Sequence, residues 1–241
     1  MQTSLPIALS AQLAMEKRLD TIANNVANAR TVGFRAEEVK FETYLSTTDR
    51  SRAAFVSPGE TFLSTRAGEL TQTGNALDLA VAGDGWFAFQ GPKGPVYTRD
   101  GRMQMTPDGE LQTLTGRPIL DVGGAPLLVD PAGGTIHVAR DGMILQNGAQ
   151  VGAVGLFQMQ PQTNLTRFDT SGVVPDRQPV AVLEFGEIGV VQGFVEGSNV
   201  NPILEITRLI EVQRAFEQGA SLVSSAERSL DSAIAALGAQ R

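Results

Sequence analysis

The sequence predicts an α+β protein, with a heptad-patterned helix at each end of the chain and an all-β domain, an irregular sandwich or barrel, between them. Three observations support this class. Apolar residues follow heptad spacing near both ends, and Asp-Gly or Asn-Gly dipeptides recur in the middle. Gly and Pro account for 26 and 12 of 241 residues while aromatics make up only 6%, which is typical of turn-rich β structure.

The N-terminal segment has apolar residues spaced alternately by three and four positions, which predicts a helix with one apolar seam. Gly33 and Phe34 follow it, and a glycine backed by an apolar residue is typical of a helix end. Asn24, Asn25 and Asn28 fit either a simple C-cap or a hydrogen-bonded layer between helices. The seam positions are Leu5, Ala8, Gln12, Met15, Leu19, Ile22, Val26 and Ala29.

The C-terminal segment repeats the same alternation. Ser198 or Asn199 is expected to cap this helix, with Pro202 in its first turn and Glu205 near the positive end of the helix dipole. The seam positions are Leu209, Val212, Phe216, Gly219, Val223, Ala226, Leu230, Ala233 and Leu237.

Three isoleucines widen the apolar face where the C-terminal helix begins. Ile203, Ile206 and Ile210 share one side of the predicted helix, so this part is expected to contact two neighbours.

The middle of the chain alternates β-rich runs with glycine turns, which predicts antiparallel hairpins. The turn dipeptides are Asp84-Gly85, Asp100-Gly101, Asp108-Gly109, Asp141-Gly142 and Asn147-Gly148. These patterns divide the chain into an N-terminal helix at 1–34, an extended connector at 35–70, a β-rich domain at 71–196 and a C-terminal helix at 197–241.

Composition restricts the chemistry available. Cysteine is absent and His137 is the only histidine, which excludes thiol catalysis and leaves carboxylates, Lys, Ser, Thr and Tyr. The Asp residues before Gly are spaced one per hairpin, as turns require. We therefore expect no catalytic residue, no cofactor and no metal. The enzymatic alternative is a carboxylate hydrolase that uses Asp84, Asp100 and Asp108.

Charge and hydropathy restrict the partners. The formal net charge is -7 and no run of Lys or Arg exists, so nucleic acid is not an expected partner. No window offers the roughly 20 apolar residues of a membrane span, so no membrane insertion is expected. The apolar start at 5–11 has no preceding basic residue and lies within the heptad pattern, so we expect no cleaved signal peptide.

Three ordered blocks of sequence resemble the axial proteins of the bacterial flagellum, the family of rod and hook proteins. The first block joins Asn24-Asn25-Val26-Ala27-Asn28 to Thr31-Val32-Gly33-Phe34. The second runs from Thr73 to Phe87 and continues as Tyr97-Thr98-Arg99-Asp100-Gly101. The third is Gly193-Phe194-Val195-Glu196-Gly197-Ser198-Asn199-Val200-Asn201, followed by Gln213-Arg214-Ala215-Phe216-Glu217.

The resemblance implies a structural subunit that self-assembles through its terminal helices into the periplasmic drive shaft of the basal body. It implies as partners the other proximal and distal rod proteins, the flagellar type III export apparatus and the surrounding ring proteins. The length and the opening residues are most similar to a proximal-rod subunit; a distal-rod or hook protein is the alternative. A further alternative is a module of the β domain that binds cell-wall glycan or a ring protein through Trp86 and Tyr97.

The two seams fit an antiparallel helix pair in each subunit of such a tube. We expect the N-terminal residues Leu9, Met15, Leu19, Ile22 and Val26 to pack against Leu209, Val212, Phe216, Val223 and Leu230. Asn24, Asn25 and Asn28 would form a polar layer nearby. The predicted assembly interface is completed by family-motif residues, namely Gly33, Phe34, Asn199, Gln213 and Arg214.

Overall fold

A computed structural model of the chain describes residues 4–41, 43–48, 51–57 and 59–238. The described part has a helix at each end, α1 (Ser4–Ala27) and α2 (Pro202–Gly238), with strands between them. The predicted α+β class is confirmed. The strands are β1 (Glu37–Lys40), β2 (Thr43–Thr48), β3 (Ser51–Val56), β4 (Glu60–Leu63), β5 (Leu70–Gln72), β6 (Leu79–Ala82), β7 (Gly85–Gly91), β8 (Gly94–Thr98), β9 (Met103–Met105), β10 (Leu111–Thr113), β11 (Ile136–Val138), β12 (Met143–Gln146), β13 (Ala149–Ala153), β14 (Leu156–Gln158), β15 (Leu165–Phe168), β16 (Gly172–Pro175), β17 (Val180–Ala181), β18 (Gly189–Gln192) and β19 (Phe194–Glu196).

The start of α2 differs from the prediction in its cap. Asn201 precedes Pro202, and its side-chain oxygen accepts a hydrogen bond from the Leu204 amide at 3.1 Å, so Asn201 is the N-cap. Pro202 occupies the first helical position, where its missing N–H costs nothing. The predicted cap residues Ser198 and Asn199 lie before the helix and bond elsewhere.

The chain divides into two compact units. The helical unit contains the described residues of 1–27, 37–62 and 201–241; in it α1 contacts α2, β1 and β3. The β unit contains 28–36 and 63–200. Segment 35–70, expected as an extended connector, carries β1 to β4 and includes the β2–β3 hairpin.

The β unit is built around a six-stranded antiparallel sheet with the order β15-β16-β8-β7-β14-β17. Successive residues of β7 point to opposite faces of this sheet. Phe87 and Phe89 enter the larger apolar core, whereas Trp86 and Ala88 enter a second, smaller one. Both faces of β7 are therefore buried.

The predicted hairpin turns are only partly confirmed. Asn147 and Gly148 both have positive φ, 50° and 79°, as a two-residue turn between β12 and β13 requires. Gly109 and Gly142 also have positive φ. Gly85 and Gly101 do not, so for these two the prediction of a left-handed turn glycine was wrong. At Gly101 a Cβ atom would lie 1.8 Å from the Leu79 carbonyl oxygen, so close approach is what requires glycine there.

Gly109 and Gly124 separate two reasons why a position requires glycine: a positive φ, and the close approach of another backbone segment. Gly109 and Gly124 have similar φ values, +87° and +82°, but a Cβ at Gly109 would lie 2.0 Å from the Val129 carbonyl oxygen and one at Gly124 meets nothing within 4 Å. Gly124→Ala is expected to lower the free energy of unfolding by about 1 kcal/mol, because alanine at positive φ is strained. Gly109→Ala should cost at least about 2 kcal/mol more, since backbone must move. Urea denaturation of both variants measures the difference; equal losses would contradict it.

Candidate functional site

Asn25 links three elements of the helical unit. It is 2% exposed near the end of α1. Its side-chain oxygen accepts from the Glu37 amide and its side-chain nitrogen donates to the Glu37 carbonyl, both at 2.8 Å. The same nitrogen donates to Glu205 Oε2 on α2 at 3.3 Å. Asn25 therefore forms a hydrogen bond between α1 and α2, as predicted by the second alternative for the asparagine-rich helix end.

Glu205 is the acidic partner in this buried contact. Its carboxylate is only 8% exposed and lies in the first turn of α2, where the helix dipole favours a negative charge. Arg208 Nη1 donates to Oε1 at 2.6 Å, so both carboxylate oxygens have a partner. The interaction fixes the start of α2 against α1.

The other asparagines of the predicted polar layer behave differently. Asn28 lies beyond the end of α1, where its carbonyl accepts from the Thr31 amide at 3.1 Å and its side-chain oxygen accepts from the Thr31 hydroxyl at 3.1 Å. These two bonds hold the turn that follows α1. Asn24 is partly exposed on α1.

The predicted seam residues vary in exposure. Ile22 and Val212 are buried at 4% and 6%, and Leu9 is 55% exposed. Gln213 and Arg214 are exposed, and Gln213 donates to Glu217 at 3.2 Å. Met15, Leu19, Val26, Leu209, Phe216 and Val223 are partly buried. The side chain of Leu230 lies outside the described residues, although its backbone belongs to α2.

Gly33 and Phe34 lie in the β unit, six and seven residues after the end of α1 at Ala27, so they do not form the helix end predicted from the sequence. Gly33 has φ +70°, and its amide donates to the Glu196 carbonyl at 2.8 Å. A Cβ atom there would lie 2.3 Å from the Asp100 amide nitrogen, so only glycine fits. Phe34 is 1% exposed and packs with Ala36 and Val200.

Asn199 joins three chain segments of the β unit. Its side-chain oxygen accepts from the Ala36 amide at 2.7 Å, and its side-chain nitrogen donates to the Arg66 carbonyl at 2.8 Å. The residue predicted for the assembly interface thus ties the segment before α2 to those around Ala36 and Arg66.

A buried ion network lies beside these contacts. Glu196 is 1% exposed and pairs with Arg35 Nη2 at 2.7 Å and Arg99 Nη1 at 3.1 Å. Its Oε1 also accepts from the Gly68 amide at 2.8 Å. Both guanidinium groups lie over the Trp86 ring, at 5.5 and 5.3 Å from its centroid. One carboxylate thus joins four separate stretches of the β unit.

Two guanidinium groups share one bonded carboxylate in this network. Burial lowers the pKa of Arg35 below its usual value and that of Arg99 to about 10, and the attraction of Glu196, with a smaller one from Asp84, only partly offsets this effect. A base whose folded pKa lies below its unfolded one is unfavourable for folding at neutral pH, and this cost is recovered only as the pH rises above about 10. The network therefore depends on the one carboxylate it contains.

Local sequence patterns assigned no role to Arg35, Arg99 or Glu196. Arg99 lies in the second family-like block and Glu196 in the third. A signal was available: Glu196 ends an apolar strand, and Arg99 follows the apolar residues of β8.

The residues expected to form a glycan-binding or ring-binding module are buried, and two of those expected for a hydrolase lie in different cavities. Trp86 and Tyr97 are 5% and 7% exposed, so the expectation of a binding module built on their exposed faces was wrong. They pack in the smaller core because both faces of the sheet are covered. Asp84 and Asp100 line different cavities, and Asp100 is paired with Arg102 at 2.6 Å.

Across 4–41, 43–48, 51–57 and 59–238, no three His, Asp or Glu side chains are grouped as a metal site would need. Neither helix, as far as it is described, has the length and apolar character needed to cross a membrane.

Comparison with known proteins gives matches along the chain. Residues 5–35 match the family described as flagella basal body rod protein. Residues 80–146 match the flagellar hook protein FlgE/F/G D1 domain, and residues 191–236 match the flagellar basal body rod FlgEFG protein C-terminal family. The matched regions cover α1, part of the β unit and most of α2.

Individual relatives match over the full length. The flagellar basal-body rod protein FlgF of Mesorhizobium japonicum is 52% identical over 240 residues, covering 100% of both chains. The FlgF protein of Rhizobium meliloti is 49% identical over 241 residues, again covering 100% of both. The FlgG protein of Agrobacterium fabrum is 29% identical, over 93% of this chain and 95% of its own.

Terminal helices, a central β unit and these matches define a structural protein of the flagellar rod and hook class. Within that class, the chain belongs to the flagellar basal-body rod proteins called FlgF. The prediction of a proximal-rod subunit is confirmed, and the lower identity to FlgG disfavours the distal-rod alternative. A location in the flagellar basal body, in contact with other rod components, follows from this family membership.

The ion network predicts a large effect of one substitution. Glu196→Gln keeps the shape of the side chain but removes the carboxylate that is bonded to both buried guanidinium groups, leaving only the attraction of Asp84. We expect the free energy of unfolding of the β unit to fall by about 3–5 kcal/mol. Urea denaturation followed through the fluorescence of Trp86, the only tryptophan, measures it.

The matched control is Glu69→Gln, which removes an exposed carboxylate from the same unit. It should change the free energy of unfolding by no more than about 0.5 kcal/mol. A Glu196→Gln variant as stable as this control would contradict a structural role for the network.

Proposed function

We propose that this chain builds the rod through its terminal helices, with α1 and α2 paired inside each subunit and apolar side chains on their outer sides covered by neighbouring subunits. The observation that carries the proposal is the isoleucine stripe of α2, defined as Ile203, Ile206 and Ile210. These side chains are 78%, 46% and 46% exposed. Exposed apolar patches on soluble proteins mark interaction sites.

The isoleucine stripe is separate from the side of α2 that is buried within the subunit. The less exposed residues of α2 follow heptad spacing, with successive steps of four, three, four and seven positions. They include Glu205, Leu209, Val212, Phe216 and Val223. Stripe residues, three and four positions apart, lie on another side of the helix. This spacing supports a heptad seam inside the subunit and leaves the isoleucines for a second contact.

α1 has its own exposed apolar pair. Leu9 and Leu13 are 55% and 56% exposed, and because they are four residues apart they share one side of the helix. Contacts between two different surfaces of identical or similar subunits are heterologous, and repeating them without closure produces a filament. Two dissimilar apolar surfaces on one subunit therefore favour an open, rod-like assembly.

The remaining parts of the proposal concern segments and partners. The helical unit forms the axial part and the β unit the outer part. Of the terminal segments predicted at 1–34 and 197–241, residues 28–34 and 197–200 therefore belong to the outer part, and of the link predicted at 35–70, residues 37–62 belong to the axial part. The outer part is an irregular sandwich, supported by a core that combines Phe87 of the six-stranded sheet with Val138 and Ile144 of the three-stranded one.

We propose a location in the periplasm, delivery by the flagellar type III export apparatus and contact with the surrounding ring proteins. The role is structural rather than enzymatic, which is supported by relatives that carry the names of rod proteins.

One substitution tests the isoleucine stripe. Ile206→Asp places a charge on a surface that is exposed in the free subunit, so the free energy of unfolding should change by no more than about 0.5 kcal/mol. In the assembled rod the same charge would be buried without a partner, and basal bodies should lack a completed rod. Electron microscopy of basal bodies from cells producing only the variant is the measurement, with circular dichroism of the purified chain to verify folding.

Gln218→Asp is the control, because it adds the same charge to an exposed polar position of α2. It should assemble normally. Normal rods from Ile206→Asp, or equal loss from both variants, would contradict the role of the stripe.

A further inference from the structure

A cavity of about 300 Å³ in the β unit is not used by helix-mediated assembly. It is surrounded by Thr31 from the segment after α1, the turn at 113–115 and the hairpin loop at 169–172. We propose that this cavity, called here the threonine pocket, binds a single ring of a neutral saccharide.

Size limits the ligand. Small-molecule pockets span roughly 300–1,000 Å³, so this one is at the lower limit and suits one ring rather than an extended molecule. The pocket also has an apolar part, since Phe89 and Leu114 line it. A sugar ring matches this combination, because its C–H surface is apolar and its edge is polar.

The lining is rich in hydroxyl groups. Of its twelve residues six are Thr or Ser, namely Thr31, Thr98, Thr113, Thr115, Thr170 and Ser171. A hydroxyl can both donate and accept a hydrogen bond, as can each hydroxyl of a sugar. Several of these hydroxyls already bond within the protein, Thr31 to Asn28, Thr98 to Ser171 and Thr113 with Thr115, so the lining offers a sugar mainly the remaining acceptor lone pairs.

The charged groups of the pocket select against anions. Asp100 accepts from Arg102 at 2.9 Å (Nε) and 2.6 Å (Nη2), so this pair is neutral in sum and the guanidinium is held in one orientation. Asp169 adds a further negative charge, and its Oδ1 accepts a long, 3.4 Å hydrogen bond from Thr170. The pocket as a whole therefore carries one negative charge, which disfavours phosphate and carboxylate ligands.

Backbone conformation places Asp169 at the rim. Its φ is +56°, in the left-handed region that Asp adopts more readily than most residues other than glycine. In the bound state we assign to Asp169 the acceptor of a sugar hydroxyl, and to Arg102 the donor.

Nuclear magnetic resonance titration of the isotope-labelled full chain tests the proposal. The probes are N-acetylglucosamine and glucose as neutral sugars and ethanolamine as a small cation. A sugar is expected to shift the backbone amides of Thr115, Ser171 and Gly172, with a Kd on the order of 1 mM. Absence of shifts at these amides up to ten times that concentration, or shifts with ethanolamine alone, would overturn the proposal.

Two variants locate the site. Asp169→Gly removes the carboxylate and is compatible with positive φ, so the fold is retained while sugar affinity falls about tenfold through the loss of a charge-assisted hydrogen bond. Asp108→Asn removes an exposed carboxylate outside the pocket and should leave affinity unchanged. Unchanged sugar affinity in Asp169→Gly would also overturn the proposal.

Discussion

The carboxylate of Glu196 is the constraint on which the β unit depends. Two guanidinium groups, each almost fully buried, face one carboxylate, and their lowered pKa values reflect the cost of burial. The network brings together chain segments that are far apart in sequence: the one that follows α1, the one around Gly68, the end of β8 and the one that leads to α2. A buried network of this kind specifies one arrangement of the segments of the β unit more than it stabilises that arrangement.

The helical unit depends on a different kind of interaction. Apolar burial pairs α1 with α2, and Asn25 with Glu205 adds a directional contact that fixes their alignment near the start of α2. The isoleucine stripe and the Leu9–Leu13 pair remain exposed in the single chain. In the proposed assembly, neighbouring subunits cover this exposed apolar surface of the helical unit.

Local rules account for what the sequence could predict. Apolar spacing predicted both helices, and Asn147-Gly148 predicted a hairpin turn because both residues tolerate positive φ. Local rules failed where contacts with residues distant in sequence determine the role of a residue. Gly101 is glycine because the Leu79 carbonyl approaches it, and Asn199 does not cap α2 because its amide group bonds Ala36 and Arg66. Arg35, Glu196 and Arg99 were missed for the same reason, since the spacing of charges along a chain does not show which of them meet in its interior.

Native-state hydrogen exchange at three amides tests the central role of Glu196 most directly. The Gly33 amide donates to the Glu196 carbonyl, the Gly68 amide to the Glu196 carboxylate and the Gly197 amide to the Glu69 carbonyl. If the network holds these segments as one unit, the three amides open together, with the same free energy of exchange. Free energies that differ among them by more than about 1.4 kcal/mol, a tenfold difference in opening, would show that the segments are held separately and would contradict the account.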